Sequence, residues 1–142
     1  MTALYVDANA IAKLYLSDET GQETVFTALD GHAVIATSAI TYAEVTGLLA
    51  RAFHDGRIEG EQYDELAAAF GQDWNTVKVY DVSTPLSQIA ARLMKSQRGL
   101  RAMDALHLAS ALTLRQSTAL RFLTFDTRLE QTARNLMPDA FA

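Results

Sequence analysis

The sequence predicts an α/β protein in which a parallel β-sheet is covered by helices on both faces. Short apolar runs alternate along the chain with longer segments that carry apolar residues at helical spacing. No internal repeat, low-complexity tract or long linker interrupts this alternation. The 142 residues are enough to bury a sizeable core. We therefore expect a single domain that covers residues 1–142.

Four short apolar runs are the predicted strands. The first, Ala-Leu-Tyr-Val at 3–6, lies close to the chain start and ends directly before Asp7. Runs this short and this apolar are typical of strands buried on both faces of a parallel sheet. The other predicted strands cover residues 33–36, 77–82 and 121–125.

Seven longer segments are the predicted helices. In the first, over 8–17, Ile11, Leu14 and Tyr15 recur at helical spacing, and the stretch 18–21 interrupts the pattern. The fifth helix opens with a proline in its first turn, where proline is well tolerated. The later helices are predicted between 20 and 31 and over 39–53, 59–72, 83–96, 102–115 and 127–136.

Capping residues mark several of these helix starts. Thr20 with Glu23, and Thr127 with Glu130, have the spacing of capping boxes. The pair at 37–38, Thr-Ser, is expected to cap the third helix. These signals predict helix starts directly after strands or breaks.

The composition narrows the class of protein. Apolar residues make up 49% and charged residues 20% of the chain, an ordinary balance for a globular domain. The chain has no cysteine, which excludes disulfides and thiolate zinc sites. It also has no apolar run long enough to span a bilayer and no recognisable secretory signal, so we expect a cytoplasmic protein. The net charge of −5 argues against a simple nucleic-acid-binding module. It is compatible with an enzyme whose clustered acids bind a cation.

Four acidic residues interrupt apolar, well-ordered segments. Asp7 and Asp126 each follow a predicted strand, so both are expected at the carboxyl edge of the sheet, where open α/β proteins bind ligands. Glu44 lies in the helix after the second strand, and Asp104 lies in the first turn of the helix over 102–115. The four side chains are therefore expected to converge on one pocket.

Each acid also has an ordinary structural role open to it. Asp7 and Asp126 can cap the helices that follow them, a role worth about 1 kcal/mol. Glu44 can complete a capping box with Thr41, and Asp104 can interact favourably with the positive end of its helix. Singly, these roles compete evenly with a functional one. The coincidence of four such placements favours a site.

The chemistry of such a cluster indicates a hard metal ion. Neighbouring carboxylates repel one another, and one tends to take up a proton unless a cation intervenes. Ligands that are all oxygen suit Mg²⁺ or Mn²⁺, which activate water and stabilise charge on a phosphate. Hydrolysis of a phosphodiester bond fits this chemistry best. His107, three positions after Asp104, is expected to be a core histidine hydrogen-bonded to a neighbour.

Four segments together resemble the PIN domain family, and within it the VapC-type toxins of bacterial toxin–antitoxin pairs. They are LYVDANA from Leu4, TYAEV from Thr41, RAMDALHLA from Arg101 and LTFDTRL from Leu123, and they span essentially the whole chain. The resemblance implies a three-layer α/β/α sandwich with a parallel sheet of four to five strands. It also implies an Mg²⁺- or Mn²⁺-dependent endoribonuclease that acts on RNA and is neutralised by a VapB-type antitoxin. Relatives commonly form homodimers.

The resemblance assigns a role to each of the four acids. The acidic positions of the family correspond to Asp7, Glu44, Asp104 and Asp126. The hypothesis that follows is that Asp7, Asp104 and Asp126 hold the metal ion. Glu44 would complete the acidic shell, directly or through water.

The same resemblance assigns roles around the acids. Asn9 stands where the family usually has Ser or Thr, and it is expected, with Thr124, to form hydrogen bonds next to the ligands. Arg101 or Arg128 is expected to guide the RNA backbone. Glu130 is the candidate for a further acid that some relatives carry.

Two other interpretations stay open on the residues alone. A small Asp-dependent phosphatase or a receiver-like domain also carries an Asp after its first strand. The phosphatase class usually has a second Asp where Asn9 stands, and a receiver has a lysine after its last strand, which we do not find here. A non-catalytic acidic module would use its carboxylates as caps and bind a basic peptide.

Overall fold

Four parallel strands form the central sheet in the part of the chain that the computed structural model describes, residues 1–17 and 20–141. The spatial order of the strands is β3-β2-β1-β4, so β1 lies inside the sheet. All neighbouring pairs are parallel, and all strands therefore end at the same edge. The strands are β1 (Thr2–Val6), β2 (Ile35–Ser38), β3 (Lys78–Tyr80) and β4 (Ala119–Leu123).

Helices follow the strands and cover both faces of the sheet. They are α1 (Ala8–Ala12), α2 (Gln22–Asp30), α3 (Ile40–His54), α4 (Gly60–Asp73), α5 (Thr84–Ser96), α6 (Ala102–Arg115) and α7 (Thr127–Leu136). Short 3-10 turns follow α4 at Trp74–Thr76 and α7 at Pro138–Phe141. None of the described helices is both long and apolar enough to cross a membrane.

The residues of β1 alternate between two hydrophobic clusters. Ala3 and Tyr5 pack with residues of α5, α6 and α7. Leu4 and Val6 point to the other face and pack with residues of α1 to α4. Both faces of the sheet are thus buried, which confirms the predicted α/β/α architecture and explains why β1 is apolar throughout.

Several strands and helices begin or end at other residues than the sequence predicts. The strand predicted at 121–125 is β4, two residues earlier, because it pairs with β1 from Ala119 opposite Thr2 to Leu123 opposite Val6. β1 ends at Val6, so the pairing ends there too, and residues 124 and 125 form a loop before Asp126. β2 begins at 35 rather than 33, and α1 ends at Ala12 rather than 17. The predicted break over 18–21 includes residues 18 and 19, which lie outside the described part.

The predicted capping boxes are wrong. α2 begins after Gly21, whose φ of 93° lies in the left-handed region that favours glycine. α7 is capped by Asp126, which accepts hydrogen bonds from the N–H groups of Arg128 and Leu129. Aspartate is a stronger N-cap than threonine, and the shift of β4 leaves Asp126 in that position. The hydroxyl of Ser38, within β2, accepts a 3.3 Å hydrogen bond from the N–H that opens α3.

Replacing Leu108 with alanine is expected to lower the free energy of unfolding by about 2–5 kcal/mol. The side chain is completely buried in the cluster between the sheet and α6, and its removal leaves a cavity. Leu112→Ala, one turn later and only partly buried, is the matched control and should cost clearly less. Urea unfolding followed by circular dichroism measures both values. Equal losses would contradict this assignment of the core.

Candidate active site

Asp7 lies at the end of β1 and is the most buried of the four predicted acids. Its exposed fraction is 3%. As the N-cap of α1 it accepts a 3.0 Å hydrogen bond at Oδ1 from the N–H of Ala10, and Oδ2 accepts a 2.5 Å hydrogen bond from the Thr124 hydroxyl. Burial raises the pKa of the Asp7 carboxyl, and these hydrogen bonds offset the rise only in part. The fold therefore holds this carboxyl group largely away from water at the sheet edge.

Thr124 connects Asp7 to Asp126. Its buried hydroxyl donates to Asp7 and accepts a 3.1 Å hydrogen bond from the N–H of Asp126. Asp126 Oδ1 in turn accepts hydrogen bonds from Arg128 and Leu129, at 2.9 and 3.2 Å. One hydroxyl group thereby links the end of β1 to the start of α7.

Asp104 lies in the first turn of α6, near Asp126. Partial burial, and then the charge of Asp126, raises the pKa of Asp104, while His107 and Arg101 act in the opposite direction. Asp104 and Asp126 line the same cavity, of about 320 Å³. Two acids that are far apart in sequence therefore share one site and repel each other there.

Glu44 and Asn9 line a neighbouring cavity of about 260 Å³ between α1 and α3. The charge of Glu44 contributes to the raised pKa of both Asp7 and Asp104, so Glu44 lies within electrostatic range of both. Glu44 therefore lines a different cavity from Asp104 and Asp126, although its charge acts on both Asp7 and Asp104. Glu44 is carried by α3, which packs against α1, whereas Asp104 lies in the first turn of α6.

A buried hydrogen-bond chain holds Glu44 against the core. The Tyr5 hydroxyl lies 2.8 Å from His107 Nδ1, and His107 Nε2 lies 2.8 Å from Glu44 Oε1. Burial raises the pKa of Tyr5 well above its usual value, so the phenol stays neutral. With Tyr5 at Nδ1 and Glu44 at Nε2, both ring nitrogens of His107 have a hydrogen-bond partner.

The expectation of a hydrogen-bonded core histidine at 107 is confirmed, but its partners were missed. Tyr5 and Glu44 lie 102 and 63 positions away in the sequence. The sequence positions of Tyr5 and His107 relative to the acids are the only local features that relate to this chain of hydrogen bonds. Tyr5 lies in β1 two positions before Asp7, and His107 lies about one turn after Asp104 on α6, so both partners are close in sequence to predicted acids.

Two of the four acids also have the helix-capping role that the sequence left open to them. Asp7 and Asp126 both cap helices. Glu44 forms no capping box, because α3 begins after position 39 and the hydroxyl of Thr41 lies 2.7 Å from that of Thr37. Capping and a functional role are compatible, since a carboxylate oxygen has lone pairs beyond those that its cap uses.

The remaining predicted residues lie on different sides of the molecule. Arg101 and Arg128 line the cavity of Asp104 and Asp126. Glu130 instead faces a separate cavity along β4, and its Oε2 lies 3.6 Å from Nε of an arginine one turn later. The structure therefore gives Glu130 no place in the acidic site.

The acidic side chains of the site suit a hard cation in their chemistry, but they are not arranged as a compact ligand cluster. Within residues 1–17 and 20–141, no three His, Asp or Glu side chains are arranged closely enough to hold a metal ion. The available donors are all carboxylate oxygens, and burial and mutual repulsion raise the pKa values of Asp7 and Asp104. Such groups gain from a nearby positive charge. The residues fit Mg²⁺ or Mn²⁺ in their chemistry, because such an ion is bound through one or two carboxylates and keeps several water ligands.

Comparisons with known proteins agree on one family. Residues 4–135 match the PIN domain. Two curated relatives are ribonuclease VapC45 of Mycobacterium tuberculosis strain CDC 1551 / Oshkosh and ribonuclease VapC49 of strain ATCC 25618 / H37Rv. Each is 30% identical over 114 residues, which make up 80% of this chain and 78% of the relative.

Three solved structures share the fold at lower sequence identity. VapC20 of Mycobacterium tuberculosis, described as a toxin that cleaves the sarcin–ricin loop, has a TM-score of 0.67 at 21% identity, over 90% of this chain and 93% of its own. A chain of a toxin–antitoxin complex from Klebsiella pneumoniae has a TM-score of 0.65 at 23% identity, over 89% and 88%. A chain of FitAB bound to a DNA fragment has a TM-score of 0.68 at 21% identity, over 92% and 90%.

Replacing Asp7 with asparagine is expected to raise the thermal unfolding midpoint at pH 7 without added metal. The folded-state pKa of Asp7 lies above the unfolded value of 3.8, so the charged group destabilises the fold above its folded pKa, and this penalty fades as the pH falls toward 3.8. Asparagine keeps the oxygen that caps α1. The gain over the wild type should shrink on acidification. Asp64→Asn, which changes an exposed acid of α4, is the control. A lower thermal midpoint of Asp7→Asn than of the wild type at pH 7 would contradict the expectation.

Replacing Tyr5 with phenylalanine is expected to lower the free energy of unfolding by about 1–3 kcal/mol, because it leaves His107 Nδ1 buried without its partner. Chemical unfolding measures the loss. Tyr42→Phe removes a hydroxyl from a side chain that is 40% exposed, and it should change little. A neutral Tyr5→Phe would show that the hydrogen-bond chain contributes nothing to the fold.

Proposed function

The chain belongs to the PIN domain family, and from that membership we propose that it is a metal-dependent endoribonuclease, the toxin of a VapBC-type toxin–antitoxin pair. The observation that carries the proposal is the match over 80% of the chain to relatives named as VapC ribonucleases. The acids at the carboxyl edge of the sheet support it, because their mutual repulsion is the property that a cation site needs. RNA is the proposed substrate, and phosphodiester hydrolysis is the proposed reaction.

Asp7, Asp104 and Asp126 are the proposed metal ligands. A bound Mg²⁺ or Mn²⁺ supplies an activated water and neutralises charge on the phosphate. Thr124 keeps the end of β1 and the start of α7 in a fixed relation through its bonds to Asp7 and to the N–H of Asp126. Glu44, held by His107, extends the negative surface on the other side of Asp7. Asn9 offers an exposed amide beside it.

A VapB-type antitoxin is the proposed protein partner. The curated relatives carry the VapC name, and a chain of the same fold is part of a toxin–antitoxin complex. In this proposal residues 1–142 act as one domain in the cytoplasm, the antitoxin covers the acidic edge of the sheet, and the toxin forms a homodimer.

Purified protein free of antitoxin is expected to cut total cellular RNA into discrete fragments in Mg²⁺ or Mn²⁺ and to leave it intact in chelator. Asp104→Asn should lower the cleavage rate by more than about 100-fold, because one ligand of the ion is lost. Asp64→Asn, which removes an exposed acid of α4, is the matched control. Gel electrophoresis of the RNA follows the rate.

Metal binding is measured separately on the same proteins. Mn²⁺ should raise the thermal midpoint of the wild type and of Asp64→Asn, but much less that of Asp104→Asn. A folded Asp104→Asn that cleaves at the wild-type rate would refute the proposed site. A wild type that shows neither a metal-dependent shift nor cleavage would favour the non-catalytic acidic module instead.

A further inference from the structure

Two threonine hydroxyl groups are buried between the end of β1 and the start of α3. Thr37, in β2, and Thr41, in the first turn of α3, are both completely inaccessible to solvent. Their hydroxyl oxygens lie 2.7 Å apart, and the Thr37 hydroxyl donates a 2.6 Å hydrogen bond to the C=O of Val6. Val6 directly precedes Asp7, so this pair of hydroxyl groups reaches the strand end that carries the most buried acid.

The Thr37 hydroxyl takes the place of a backbone hydrogen bond. The register of β1 and β2 ends with Tyr5 opposite Ala36, although β2 continues to Ser38. Val6 therefore lies beyond the last backbone pair between these two strands, and its buried C=O needs another donor. The side chain of Thr37 supplies that donor.

The direction of both hydrogen bonds follows from the number of protons. A hydroxyl group has one proton to donate. Thr37 uses its proton for the C=O of Val6, so Thr41 is the donor across the 2.7 Å between the two hydroxyl groups. A chain of two hydrogen bonds thus runs from the first turn of α3 to the last residue of β1.

The same part of α3 carries Glu44. Thr41 and Glu44 are three positions apart, so they lie on one face of the helix. Ala39, the N-cap of α3, forms no side-chain hydrogen bond, whereas Thr41 ties the first turn to the sheet through its side chain. The hydroxyl pair therefore acts on two acids at once. It holds Asp7 through the C=O of the preceding residue, and it holds Glu44 through the helix.

We propose that Thr37 and Thr41 are positioning residues of the acidic site, which set the placement of Asp7 relative to Glu44 through their shared hydrogen bond. In this role neither threonine contacts the metal ion, and both act through the elements that carry the acids. The assignment rests on the proposed ribonuclease function, because the acids are the residues proposed to bind and surround the ion.

Metal affinity tests this role separately from stability. Thr37→Val and Thr41→Val keep the branched side chain and remove its hydroxyl group. Each should raise the Kd for Mn²⁺ about tenfold or more, the usual effect of removing a group that orients a metal ligand. Thr37→Ser keeps the hydroxyl group and loses a methyl group, and it should bind Mn²⁺ within about twofold of the wild type. Electron paramagnetic resonance of free Mn²⁺ gives the Kd, at a temperature at which circular dichroism shows every variant to be folded.

Thr113→Val is the matched control. The partly buried Thr113 hydroxyl bonds to the C=O of Ala109 within α6, so its loss should leave the Kd for Mn²⁺ unchanged. The double variant Thr37→Val/Thr41→Val should bind Mn²⁺ no more weakly than the weaker single variant, because both changes break the same chain of hydrogen bonds. Equal Kd values for Thr37→Val and Thr113→Val would overturn the assignment. Weak binding by Thr37→Ser, or additive losses in the double variant, would also overturn it.

RNA cleavage and amide hydrogen exchange separate this assignment from the ribonuclease function. If the wild type binds Mn²⁺ and cleaves RNA, and Thr37→Val does both equally well, the positioning role fails and the ribonuclease function stands. If the wild type does neither, the ribonuclease function fails, and exchange at the N–H of Ala10 decides on the positioning role. This N–H donates to Asp7 Oδ1, so a displaced Asp7 should make it exchange faster in Thr37→Val than in Thr113→Val. Equal exchange rates would overturn the role.

Discussion

The burial of the Asp7 carboxyl group is the constraint on which the rest of the site depends. A carboxylate at the end of a central strand loses its water, and only hydrogen bonds or a cation can compensate. The fold supplies the hydrogen bonds from the first turn of α1 and from Thr124. Because Thr124 also accepts a hydrogen bond from the N–H of Asp126, one hydroxyl group ties the start of α7 to Asp7.

The site is built at a cost to the stability of the fold, which indicates that it serves another purpose. The raised pKa values of Asp7 and Asp104 mean that both carboxylates are worse solvated or more strongly repelled in the folded chain than in the unfolded one. The chain from Tyr5 through His107 commits further buried polar groups to orienting Glu44. A purely structural role would not require carboxylates that destabilise the fold in this way. A bound cation would reduce both their repulsion and the effect of their burial.

The charge of the protein is divided between neighbouring surfaces. Acids occupy the carboxyl edge of the sheet, and Arg98, Arg101 and Arg128, which form no ion pair within residues 1–17 and 20–141, line the adjoining wall between the α5–α6 loop and α7. A polyanionic substrate is repelled by the first surface unless a cation is bound there, and it is attracted by the second. This arrangement is compatible with the proposed RNA substrate, against which the net charge of −5 alone argues.

Local apolar periodicity and position after a strand were enough to predict the α/β class, the four strands and seven helices found in residues 1–17 and 20–141, and the four acids as candidates for a site. Tertiary packing sets the limit of β4 through its pairing with β1, and it therefore makes Asp126 rather than Thr127 the cap of α7. The same holds for the separation of Glu44 from Asp104 and for the bond from Tyr5 to His107 across 102 positions. These features arise where distant elements pack together, and no local pattern of residues records which of them will meet.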